Sequence, residues 1–196
     1  MFLKFLFFVF FLFYGSFNLY ASFSDLSTDL ERYHGIKAYF PKVDSFDVVV
    51  SSKALIFHLQ EMSLIGKNDT NVTYKNIVVN ARNLRYNLAD NTLSFDNDVL
   101  VKRDDLSLIC DNARISFPKT VHVSGDVRVL YEEYIAEANT ARYDIERNQI
   151  SLQGDAVLYD SFDYVKAHKI DFDLKNESVK TSGRSKINVS TKQLAE

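Results

Sequence analysis

The amino-acid sequence predicts an all-β protein, an antiparallel ladder of about five repeated β-hairpins, and three observations lead to it. A motif of roughly 29 residues recurs along most of the chain. Within each copy apolar and polar residues alternate, the two-residue period of a strand with one buried face. Short turn-forming segments separate the alternating runs at matching places in each copy.

The period is plainest in a register of small residues, Ala81, Cys110, Ala138 and Ala167, spaced 29, 28 and 29 apart. Three positions later come Leu84, Ala113, Ala141 and Ile170. Two further apolar registers keep step: Tyr86, Ile115, Tyr143 and Phe172, then Leu88, Phe117, Ile145 and Leu174. One unit of this size cannot bury its oily face alone, so the copies are expected to stack side by side.

The turns follow as ADNT (89–92), PKT (118–120), ERNQ (146–149) and KNES (175–178). Pro118 falls in one of them, where its missing N–H costs no ladder bond. After each turn the alternation resumes in a return strand. Leu93, Phe95, Val99 and Val101 share one face, as do Val121, Val123, Val127 and Val129, and again Ile150, Leu152, Ala156 and Leu158. His122, Ser124, Asp126 and Arg128 have the opposite parity and are expected to face water.

Asn97, Gly125, Gly154 and Gly183 recur inside the return strands at spacings of 28, 29 and 29. A glycine inside a strand weakens it and marks a bulge, a bend or a close backbone approach. Corners at Gly125, Gly154 and Gly183 would wrap each unit around an interior. Asn97 suits the same place, because asparagine accepts left-handed dihedrals better than most residues.

A shortened copy is read from Ala54 through Phe57 and Leu59 to Leu64 and Gly66. Residues 46–190 then form one β domain, starting with a lead-in strand near Phe46. Before it, residues 22–45 lack the repeat and are expected to be irregular; after it, 191–196 is a polar tail. Residues 1–21 read as a secretory signal, with Lys4, the apolar run from Phe5 to Tyr14, and small residues up to Ala21. Retained, the same segment would be an N-terminal membrane anchor.

Composition narrows the function classes. With 23 Lys and Arg against 26 Asp and Glu, mixed without blocks, no basic face points to nucleic acid. Cys110 is the single cysteine; it permits no internal disulfide, and its apolar neighbours make it a small buried hydrophobe. The carboxylate pairs Asp104–Asp105 and Glu132–Glu133 lie at unit junctions, where solvated loop residues are usual, and no catalytic residue is assigned. His34, His58, His122 and His168 lack the close spacing of metal ligands, so neither metal nor cofactor is expected.

Alternation alone fits two architectures. In one, the apolar faces pack on each other as a filled sandwich, as in a structural or adhesion module. In the other, they line a trough about 50 Å long, two strands and about 10 Å per unit.

The units ANTARYDIERNQISLQGDAVLY (138–159) and AHKIDFDLKNESVKTSGRSKINV (167–189) resemble the repeating element of the OstA-like family of lipopolysaccharide-transport proteins. That family takes in periplasmic LptA, its inner-membrane partner LptC and the N-terminal region of the outer-membrane LptD. The resemblance covers about residues 54 to 190. It implies an open, twisted antiparallel β-jelly roll whose hydrophobic groove shields acyl chains of lipopolysaccharide or a related glycolipid, without catalysis in this subunit. The expected lipid-binding inner face is then Leu84, Tyr86, Leu88, Leu93, Phe95, Val99, Ile115, Phe117, Val121, Val123, Val127, Tyr143, Ile145, Ile150, Leu152, Leu158, Ile170, Phe172 and Leu174. Open strand edges near 46–52 and 186–189 are expected to receive inner- and outer-membrane transport components, or further copies of the chain. An uncleaved N-terminus would instead imply an anchored, LptC-like component.

Overall fold

The computed structural model describes residues 36–40, 48–58, 60–87, 89–116, 118–161 and 163–188. The expected signal segment, most of the lead-in, Leu88, Phe117 and the polar tail lie outside them.

Every regular element among the described residues is a strand. In chain order they are β1 (Ile36–Phe40), β2 (Val48–Ser52), β3 (Ala54–His58), β4 (Ser63–Tyr74), β5 (Ile77–Asn87), β6 (Thr92–Arg103), β7 (Leu106–Ser116), β8 (Thr120–Tyr131), β9 (Tyr134–Asp144), β10 (Gln149–Tyr159), β11 (Tyr164–Asp173) and β12 (Ser178–Asn188). They form a single sheet in the order β1-β2-β4-β5-β6-β7-β8-β9-β10-β11-β12, with β3 also on β4. All neighbours are antiparallel. The order is linear, so among the described residues the ladder ends at β1 and β12 and these two strands do not pair with each other.

Two features depart from the sequence reading. Residues 22–45, expected to be irregular, contain β1, which pairs with β2 from Ile36↔Ser52 to Phe40↔Val48. The first copy of the repeat, read as shortened, is also complete. β2 and β3 lie end to end against β4, pairing Val48↔Tyr74 at one end and His58↔Ser63 at the other. Ser52 lies 29 residues before Ala81 and so takes the small-residue register. It is 5% exposed, and its hydroxyl donates to the Lys67 carbonyl oxygen at 2.8 Å and lies 3.0 Å from Thr70 Oγ1. A polar residue in an otherwise apolar register hid this copy from pattern matching.

The glycine register coincides with bulges in the sheet. The pairing register slips by one residue at the same level of successive strand pairs, as between Ile109 and Asn112 opposite Arg128 and Ser124. Gly125, Gly154 and Gly183 have φ of 80, 82 and 84°, and Asn97 has 65°. The extra residue of each bulge belongs to the return strand, and such a bulge kinks a strand and tightens its twist. In the first copy the bend is at Asn68 and Asp69 (φ 60 and 57°), 29 residues before Asn97, and not at Gly66.

The bends fold the sheet over on itself. Arg103 sits at one end of β6, paired with Leu106 and Ile77. Tyr143 sits near the opposite end of the strand set, paired with Val121 and Ile150. An unbent strand of this length would hold the two ends more than about 30 Å apart. Yet Arg103 Nη1 is hydrogen bonded to the Tyr143 hydroxyl at 2.5 Å. The two halves of the sheet therefore face each other across a common interior, the cross-section of an open, twisted β-jelly roll.

Apolar interior and seam as the candidate functional site

The interior is built from the predicted registers. Leu84, Tyr86, Leu93, Phe95, Val99, Ile115, Val121, Val123, Val127, Tyr143, Ile150, Leu152, Leu158, Ile170, Phe172 and Leu174 are all buried in one continuous cluster, and Ile145 packs against it half-buried. Leu88 and Phe117, the remaining inner-face expectations, lie outside the described residues. The same parity brings in residues that the sequence reading did not select, among them Val50, Tyr74, Ile77, Val79, Leu106 and Leu108. Ile77 and Val79 open β5 and Leu106 and Leu108 open β7, while Val50 lies on β2 and Tyr74 ends β4; their signal was the same two-residue alternation. Arg128 is exposed, as its parity requires.

A trough that water enters from the side is not what the packing shows. Phe95, Ile115, Leu152 and Ile170 are each no more than 2% exposed, so the two halves mesh through the middle of the roll. What remains open is the connection between the halves, because the strand ladder runs along the roll and does not cross this seam. Side chains bridge it. Arg103 Nη1 donates to the Tyr143 hydroxyl and, at 2.9 Å, to the Ile145 carbonyl oxygen, and its guanidinium stands 5.8 Å from the Tyr143 ring centroid. One unit farther on, the Tyr131 hydroxyl donates to the Leu174 carbonyl oxygen at 3.1 Å. Edge-to-face contacts of Phe172 with Tyr131 (6.1 Å) and Tyr134 (5.2 Å) complete that stretch.

Tyrosines place apolar rings inside and hydroxyls at the rim. The Tyr86 hydroxyl donates to Asn91 Oδ1 at 2.5 Å and the Tyr143 hydroxyl to Asn148 Oδ1 at 2.7 Å, the same step of five residues in two copies. Both asparagines have positive φ, which aims the side chain back at the strand end. Burial raises the pKa of the Tyr143 phenol above its ordinary value, against the pull of the Arg103 charge and hydrogen bond; burial also raises that of Tyr86. The interior therefore presents hydrocarbon along its length and neutral hydroxyls at its margin.

The last strand differs from the rest. Val179 and Ile187 continue the inner face across from Phe172 and Val165, but they are 37% and 60% exposed. The apolar column is thus bared where the ladder stops. Among the described residues no group of three His, Cys, Asp or Glu could hold a metal ion. The carboxylates of Asp104 and Asp105 and of Glu132 and Glu133 occupy two-residue hairpin turns outside the interior.

Fold and interior together define a class, that of open β-jelly-roll ladders with an apolar core between two half-sheets. A sequence profile of the LptA/(LptD N-terminal domain) LPS transport protein family matches residues 78–178, just over half of the chain. The chain belongs to that family of lipopolysaccharide-transport proteins. Among solved structures it is similar to LptH of Pseudomonas aeruginosa, described as the LptA homologous periplasmic component of the lipopolysaccharide transport device, at 16% identity and a TM-score of 0.54. That alignment covers 58% of this chain and 93% of LptH, and it shows the shared fold. No curated protein sequence matches the chain.

Proposed function

We propose that this protein is a non-enzymatic, exported carrier in lipopolysaccharide transport: it shields the acyl chains of lipopolysaccharide or a related glycolipid between the inner and outer membranes. The observation that carries the reading is the seam. Hydrocarbon fills the space between two half-sheets that, among the described residues, are held together lengthwise by side chains, so acyl chains can replace protein–protein contacts without breaking a backbone ladder. Each CH₂ moved from water into such an interior gains about 0.8 kcal/mol. Successive copies offer nearly equivalent sites, so a chain can shift from one unit to the next at little net cost.

The exposed apolar side chains of β12 and the backbone of the two end strands, which pair on one side only among the described residues, support docking of partner strands there, from membrane components of the same system or from a second copy. The apolar run Phe5–Tyr14, read as an export signal, supports a periplasmic site of action.

Photo-crosslinking amino acids placed at Tyr86, Phe95, Tyr143 and Phe172 should capture lipopolysaccharide in cells, and one at Arg128 should not. Equal labelling inside and outside would remove the carrier role.

A further inference from the structure

The polar face of the sheet borders a second concave site, a cleft of about 720 Å³ near the return-strand corners, lined by outer-face residues and by the core residues Phe95, Ala113, Val123 and Ala141 that alternate with them. Its axis is a cross-strand row, Ser94–Arg114–His122–Arg142–Ser151, in which each residue pairs with the next on five consecutive strands, β6 to β10. Arg114, His122 and Arg142 are therefore side by side, with the two guanidinium stems about 10 Å apart at two strand spacings.

No acid interrupts this row, although the chain as a whole is acidic, at net charge −3. Among the described residues neither Arg114 nor Arg142 has an ion-pair or hydrogen-bond partner, whereas other outer-face cations are paired, such as Arg82 with Asp98 and Lys169 with Asp171. The nearest acids are themselves engaged. Asp96 accepts from Asn83 and Asn97, and Asp171 from Ser151 and Lys169. The two arginines stand on alternate strands with His122 between them and gain no opposite charge across the sheet, so ion pairing within the fold does not account for their alignment. His122 registers the repulsion: partial burial first, then Arg142 and Arg114, lower its pKa below the ordinary histidine value.

The rest of the lining holds two charged residues, Asp96 and Lys169, at opposite ends of a second row, with neutral hydrogen-bonding groups between them. Asn112, Ser124, Thr140 and Gln153 supply amides and hydroxyls along this parallel row. Guanidinium forks bind phosphate and carboxylate bidentately, while amides and hydroxyls match sugar hydroxyls. We infer that this outer cleft is a binding site for a phosphorylated sugar, with Arg114 and Arg142 holding the anionic group and the neutral groups of the second row reading the ring. The site is separated from the acyl interior by the thickness of the sheet wall, so its ligand is bound independently of the lipid proposed to lie within.

Calorimetric titration of the whole protein with glucosamine 6-phosphate, inorganic phosphate and glucosamine tests the assignment. The sugar phosphate should bind, and both fragments should bind at least about ten-fold more weakly, the worth of one good charge-assisted hydrogen bond. Arg114→Gln and Arg142→Gln should each lose about ten-fold or more, while Arg128→Gln should bind as the parent does. The ring proton resonances of His122 give a second readout. Its pKa should rise when the sugar phosphate binds, because a nearby anion favours the imidazolium. Inorganic phosphate binding as tightly as the sugar phosphate would reduce the site to an ion contact and overturn the sugar assignment. No binding, or binding unaffected by both arginine substitutions, would overturn the site. A deacylated lipopolysaccharide oligosaccharide separates the two sources: binding tighter than glucosamine 6-phosphate assigns a glycolipid headgroup, and equal binding assigns a free sugar phosphate.

Discussion

Gly125 and Asp111 face each other across the β7–β8 pair so closely that a Cβ on Gly125 would stand 2.3 Å from Asp111 Oδ2 and 2.7 Å from Asp111 Cβ. The corner of the roll thus depends on a missing side chain as much as on a permitted dihedral. The other corners are graded. A Cβ on Gly154 would meet Asn139 Nδ2 at 2.7 Å, and one on Gly183 would meet nothing nearer than His168 Cβ at 3.1 Å.

Gly125→Ala should therefore destabilise the protein by more than the roughly 1–2 kcal/mol of a left-handed Cβ alone. Gly183→Ala, with the same φ and more room, should stay within that range. Urea unfolding of the two variants measures the difference. Equal losses would mean that the close approach to Asp111 has no energetic role.

Ser52 and Thr70 form a buried hydroxyl pair in the first unit, with Thr70 only 2% exposed. Ser52→Ala leaves the Thr70 hydroxyl and the Lys67 carbonyl short of a partner and should cost about 1–3 kcal/mol. Adding Thr70→Val should recover part of that loss, because the second orphaned group is then removed. A double-mutant cycle with no coupling would show that the pair is incidental.

At the seam, Arg103→Met removes two hydrogen bonds that join the half-sheets, and Tyr143→Phe removes one of them together with the bond to Asn148 Oδ1 while keeping the ring. The expected cost of each is about 1–3 kcal/mol. Amide exchange should accelerate locally in the turn Glu146–Asn148, and an apolar fluorescent dye should be taken up faster by Arg103→Met. Unchanged exchange in that turn would show that the seam is held by apolar packing alone.

Cys110 gives the alkaline limb. Burial, assisted by the Asp111 charge, pushes its thiol from 9.0 up to about 12, against backbone hydrogen bonds from Ser124 and Asn112. Well below pH 9 the thiol is protonated in both folded and unfolded chains, so stability does not depend on it. From pH 9 to about 12 only the unfolded thiol ionises, and stability falls through that window. Tyr86 and Tyr143, also raised by burial, act in the same direction above their ordinary value of 10.0. Cys110→Ala, which fits a register otherwise held by Ala81, Ala138 and Ala167, should flatten the loss at its onset near pH 9. Denaturant midpoints across pH 8–11 would show it, and parallel curves for the two proteins would refute it.

The hairpin repeat, the buried parity and the corners were legible in the chain because each is a local pattern. Alternation marks the inner face at Leu93 and Phe95, small residues mark the buried register of Ala138, and a glycine or asparagine marks each left-handed bend. Ser52 escaped because hydrogen bonding, not apolarity, satisfies its register; only its distance of 29 residues from Ala81 gave it away. β1 lies in a stretch without the repeat, and its strand is set by pairing with β2.

Other features were decided by tertiary structure alone. Whether the two apolar faces stand apart or mesh depends on the angle at each corner, summed over a dozen strands, and no residue pattern records that sum. The contact of Arg103 with Tyr143, 40 residues on, exists only because the halves fold together. Arg114, His122 and Arg142 are likewise scattered in sequence and become one row through strand register. Local chemistry chose the strands and which side of each is oily; long-range curvature chose what those sides enclose, since bending energy is spread too thinly along the chain to be read at any single position.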